Sequence, residues 1–171
     1  MSNTIIAAAL DGLSKAIAAN PDKARAKYAP ATATIVDGLR CRVTGPAGES
    51  IETDMPAPMG GAGSSPNPGW YFRAAMAACC STVIAQRAAR LGIELTRLEV
   101  TVAGDGDNRG ILGLDETISA GHAAIRTDVQ ISARNASAEA LHQLVQWASE
   151  HAPVGRTVRD APANTLHVHV T

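Results

Sequence analysis

The sequence is short of aromatic side chains, of cysteine and of any surplus of one charge. Three cysteines, Cys41, Cys79 and Cys80, form neither an even disulfide framework nor a CxxC pair, so a reducing compartment is expected. Fifteen basic residues against sixteen acidic ones leave no electrostatic footprint for phosphate, which excludes nucleic acid as a partner. No apolar run reaches membrane-spanning length, and Asp11 and Lys15 interrupt the first apolar stretch before it could serve as a secretory leader. These absences point to a cytoplasmic protein with no membrane partner.

What is present is the composition of a globular chain, 46% apolar and 18% charged over 171 residues, which suits one core. Ile6, Ala9, Leu10, Leu13 and Ile17 make one stripe, so Thr4 to Asn20 reads as an amphipathic helix stopped by Pro21. From Thr32 onward the period is two, and Leu39, Cys41 and Val43 alternate with Arg40 and Arg42. A turn at Gly45-Pro46-Ala47-Gly48 leads into Ser50 to Asp54, which predicts a hairpin. The Pro- and Gly-rich segment 55–68 reads as a loop. Pro68 to Leu91 is the strongest helix, crowded with alanine and followed by Gly92 as its stop.

Leu95 to Ala103 and Ile125 to Ser132 alternate as half-buried strands, with a long Gly- and Asp-rich connection between them that has room for a helical turn. Ser137 can cap a helix carrying Leu141, Leu144, Val145 and Ala148, and Leu166, Val168 and Val170 predict a final strand. Strands in near-consecutive pairs favour antiparallel sheets, hence an α+β fold rather than a doubly wound one. The first 28 residues read as an N-terminal helical extension and 29–171 as the main domain.

Cys79 and Cys80 point about 100° apart on the long helix and cannot share a task. Cys79 lies on the stripe of Phe72, Ala75, Met76 and Val83. Periodicity alone makes both cysteines small core residues, and Cys41 likewise. His167 and His169 have a spacing open to a metal, but their alternation with aliphatic residues is equally that of an exposed strand face. No metal and no cofactor is expected.

The run Asn67-Pro68-Gly69-Trp70-Tyr71-Phe72-Arg73-Ala74-Ala75-Met76-Ala77-Ala78-Cys79 resembles the OsmC/Ohr family, in which Asn-Pro opens the central helix and Ala-Ala-Cys carries a peroxide-reacting thiol. Gly38-Leu39-Arg40, Met59-Gly60-Gly61, Arg90-Leu91-Gly92-Ile93 and His151-Ala152-Pro153-Val154 match family positions in the same order. The resemblance covers roughly Thr32 to Val170.

It implies an intertwined homodimer of curved antiparallel sheets around two central helices, reducing organic hydroperoxides or hydrogen peroxide. Cys79 would be the reacting thiol and Arg40 the cation that activates it, with Arg42 as the alternative. The family glutamate after Pro is Gly69 here, and the resolving cysteine before Pro153 is Ala152. An external thiol reductant, Cys41 or Cys80 would then have to resolve the oxidised sulfur. Trp70, Tyr71, Phe72 and Met76 are the expected lining for an organic hydroperoxide, or else pack a dimer core. The alternative function is a non-catalytic dimer of the same fold that binds a small apolar ligand.

Overall fold

The computed structural model describes residues 2–170. The chain divides into two compact units, one running Ala8–Ala75 and the other made of the residues up to Ala7 together with Met76 onward. Helix α1 (Asn3–Ala19) and helix α2 (Pro68–Arg90) each contribute to both.

In the Ala8–Ala75 unit, α1 stops at Asn20 and a 3-10 turn follows at Pro21–Ala24, as the proline requires. Three strands form an antiparallel sheet in the order β1 (Thr32–Asp37), β2 (Arg40–Thr44) and β3 (Ser50–Thr53). The predicted hairpin is therefore β2–β3, and the period-two stretch expected from Thr32 onward opens with β1. Every residue of β1 is exposed, so its place in the sheet rests on pairing with β2 rather than on a buried face. Gly38, at φ +54°, turns β1 into β2 and sets Asp37 opposite Arg40. The β2–β3 register pairs Cys41 with Thr53 and Arg42 with Glu52.

The other unit has an aliphatic core. Cys80, Ile84 and Ala88 recur every fourth residue on α2 and meet Ile93 together with Leu141, Leu144 and Ala148 of helix α4 (Ala138–His151). Strands β4 (Leu95–Asp105) and β5 (Ala124–Ala133) pair antiparallel, and Leu98, Val100, Val129 and Ile131 close the core from the sheet side. α2 ends as expected: Gly92 takes φ +67°, and Ile93 donates back to the Ala88 carbonyl at 2.9 Å. Asn135 ties the strand ends together, accepting from Glu94 N–H and donating to the Gly92 carbonyl, both at 2.8 Å. The β4–β5 connection holds the anticipated helical turn, α3 (Asn108–Ile111), capped by Asp107.

After α4 one element is unannounced and one expectation fails. Pro153–Asp160 is a helix, α5, where the sequence predicts no element. Leu166, Val168 and Val170 belong to no strand; they are 85%, 73% and 92% exposed. Period-two alternation specifies faces, but a strand also needs a neighbour to take its N–H and C=O groups.

Candidate thiol site

Asn67 opens α2, its Oδ1 accepting from Trp70 N–H at 2.8 Å, with Pro68 as the first helical residue. Trp70 is 48% exposed and meets the Tyr71 ring edge-on, centroids 5.2 Å apart; Tyr71 and Phe72 are half-buried. Cys79 stands two turns beyond Phe72 on the same helix, half-buried, with half-buried Met76 one turn before it on its own face. Cys80 is buried in the aliphatic core. Burial, and secondarily the neighbouring Cys79, pushes its thiol above the ordinary range, which keeps it protonated.

The Cys79 sulfur meets the beginning of α5, where Val154 N–H donates to Sγ at 3.5 Å. That N–H is one of the helix's first and has no partner within it, so it presents the positive end of α5 to the sulfur. Ala152, where the resemblance leads one to expect a resolving cysteine, is 3% exposed and carries no thiol. Beside it His151 ends α4; its Nδ1 lies 2.7 Å from the Trp147 carbonyl and its ring stacks on the Trp147 indole, centroids 3.9 Å apart. His151 is thus part of the α4 terminus.

Within the Ala8–Ala75 unit the two candidate arginines separate cleanly. Arg42 is committed to Glu52, with Nε at 3.1 Å and Nη2 at 2.9 Å from Oε1. Arg40 makes no ion pair among the described residues, and its Nε is buried without a hydrogen-bond partner. It lines a cavity of about 330 Å³ with Leu39, Gly60, Gly61, Ala62 and Ser64.

Asp54 also lines that cavity and organises the loop around it. Its carboxylate accepts from the N–H groups of Met55 (2.8 Å), Ala62 (3.2 Å) and Ser64 (3.0 Å) and from the Ser64 hydroxyl (2.9 Å). These bonds, the Ser64 backbone N–H foremost and its hydroxyl next, hold the carboxyl below the usual carboxylate range against the opposing effect of burial. Gly61 is obligatory, because a Cβ there would run into the Met55 carbonyl. At Gly69 a Cβ would lie 3.3 Å from Asn67 Oδ1 and 3.6 Å from Arg73 Nη1, so a guanidinium borders this position.

Asp54 was detectable only as a lone acid before a Pro- and Gly-rich stretch. Pro153 suits the first position of a helix, but no side chain signals the contact of Val154 N–H with Cys79. The described residues contain no group of side chains that could hold a metal ion, and none of their helices is long and apolar enough to cross a membrane.

Comparison with known proteins agrees with the motifs. Among solved structures the chain is similar to an OsmC-like protein from Mycoplasma pneumoniae, at 17% identity and TM-score 0.66, covering 79% of this chain and 89% of that one. It is similar to an organic hydroperoxide resistance protein from Legionella pneumophila at 22% identity and TM-score 0.59, covering 79% and 92%. The organic hydroperoxide resistance protein OhrB of Bacillus subtilis matches at 22% identity and TM-score 0.52, covering 78% and 91%. These likenesses establish a shared α+β fold. No protein of curated function matches in sequence. Because the family profile described as OsmC-like protein matches residues 61–167, from the Gly61 loop through α2 and Cys79 to the segment after α5, the chain belongs to the OsmC-like family.

Proposed function

We propose that this protein reduces organic hydroperoxides, or hydrogen peroxide, through Cys79, and that an external thiol completes the cycle. The observation that carries the reading is the Val154 N–H donating to the Cys79 sulfur at the start of α5, because such a donor stabilises negative charge on that atom. Organic hydroperoxide resistance proteins among the structural neighbours support the same chemistry.

In the first step the Cys79 thiolate attacks one peroxide oxygen. The S–O bond forms as the O–O bond breaks, sulfur is oxidised by two electrons, and the departing alkoxide takes a proton to leave as the alcohol. A thiol then condenses with the sulfenic acid, releasing water and leaving a mixed disulfide; a second thiol equivalent restores Cys79 and carries away the disulfide. Ala152 offers no sulfur for this, and Cys80 is held protonated in the core.

Arg40 is the proposed cation for the site, since Arg42 is occupied by Glu52 and the Arg40 Nε has no partner. Trp70, Tyr71, Phe72 and Met76 are the proposed apolar contacts for the substrate. The working form is a homodimer, supported by the exposed aliphatic residues of the β1–β2–β3 sheet, and the proposed location is the cytoplasm.

Steady-state reduction of cumene hydroperoxide with a small thiol should vanish in Cys79→Ser and persist in Cys80→Ala. In Ala152→Cys, one equivalent of hydroperoxide should yield an intrachain 79–152 disulfide visible by mass spectrometry. Hydroperoxide reduction unchanged in Cys79→Ser would overturn the proposal. The second reading is a non-catalytic binder of a small apolar ligand, favoured by Gly69 and Ala152 standing at two functional positions of the family. It predicts no sulfenic acid at Cys79 after peroxide treatment.

A further inference from the structure

Helix α5 has eight residues, too few to persist unaided, and its N-cap residue, Ala152, offers no side-chain acceptor to its first N–H groups. The Cys79 sulfur supplies an acceptor from outside by taking the Val154 N–H. The far end of α5 is held by a different contact. Pro153 has no N–H, so the Ser149 carbonyl, four residues earlier on α4, cannot make its helical hydrogen bond. Arg159, in the last turn of α5, donates to that carbonyl through Nη2 at 2.5 Å.

The links close a ring. Arg87, two turns beyond Cys79 on α2, lies over the Trp147 indole of α4, its guanidinium carbon 4.5 Å from the ring centroid. α4 holds α5 through Ser149 and Arg159, and the first turn of α5 returns to α2 at Cys79. Arg156 differs from Arg159 because it pairs with Asp160 inside α5, at 2.6 Å, which stiffens the helix without placing it.

We infer that Arg159 is a positioning residue for Cys79: by tying α5 to the orphaned Ser149 carbonyl it keeps the Val154 N–H aimed at the sulfur. The inference rests on the reading that Cys79 is the reacting thiol. An arginine-to-carbonyl hydrogen bond is charge-assisted and bridges two elements, so its loss lets the short helix tilt.

The test follows Cys79 residue by residue by mass spectrometry, measuring its rate of reaction with cumene hydroperoxide and with iodoacetamide in the full chain. Arg159→Ala should slow both by about five- to tenfold, in keeping with the net worth of one solvent-exposed hydrogen bond. Hydrogen exchange should quicken over residues 154–160 while α4 stays protected. Arg159→Lys, whose ammonium can reach for the same carbonyl, should restore part of the rate. Arg156→Ala should stay within about twofold of the unaltered protein, as expected for an exposed ion pair. A reactive Cys79 whose rate ignores Arg159→Ala, or slows equally in Arg156→Ala, overturns this inference alone. A Cys79 that reacts no faster in the unaltered protein than in the denatured chain overturns the proposed function, and this inference with it.

Discussion

Ile84 and Ile35 are the same side chain in opposite circumstances. Ile84, on α2, is 0% exposed; Ile35, on β1, is 63% exposed, and Val36, Leu39 and Ile51 of the same unit are each more than two-fifths exposed. The region from Met76 onward closes around aliphatic residues drawn from α2, α4 and the β4–β5 sheet. Among the described residues the Ala8–Ala75 unit gathers no comparable core, and its buried residues are Thr53 and Asp54, both polar. One region is stabilised by excluding water, the other by its hydrogen-bonded ladder and the Asp54 clasp, with apolar surface left over. That surplus is what a covering second copy would bury.

The contrast can be broken first at Ile84. Ile84→Ala should cost about 3–4 kcal/mol in urea unfolding, the usual price of a cavity at a fully buried isoleucine; a loss under about 1 kcal/mol would mean that the core there collapses freely. Ile35→Asp sharpens the comparison from the other side. It should leave secondary structure intact but convert the proposed dimer to monomer in sedimentation, and an unchanged mass would show that β1 is not covered by a second copy.

Asp54→Asn is the smaller perturbation. It removes the charge that gathers three N–H groups and a hydroxyl, so it should lower the melting temperature at neutral pH and speed hydrogen exchange at Ala62 and Ser64. The Asp54 carboxyl is held below its unfolded value of about 3.9, so its contribution is whole above that pH and fades as pH falls through the folded value. The stability gap between the unaltered protein and Asp54→Asn should therefore narrow as pH falls from 7 towards 3. A gap that stays constant or widens would contradict the clasp.

The regions also differ in how plainly the sequence announces them. α2, β4, β5 and α4 bury one side of themselves, and burial writes a period into the residues: Cys80, Ile84 and Ala88 every four, Leu98 and Val100 every two. Ser137 and Gly92 mark ends because the chemistry of those ends is local. β1 opens the stretch that reads as period two, yet it buries neither face, being exposed along its length. α5 was hidden by Gly155, Thr157 and Val158, poor helix formers that its docking onto α4 and α2 overrides. The motif around Cys79 was legible, but its hydrogen-bond donor was not, because Val154 lies 75 residues away and acts through its backbone, which no side chain advertises.

Pro153 decides more than where one helix begins. With any other residue there, the Ser149 carbonyl could find an N–H four positions on, and α4 could run through the junction as a single straight rod. The corner would then unbend, carrying the segment that faces the sulfur off in another direction. A missing hydrogen on one ring nitrogen keeps that corner in place.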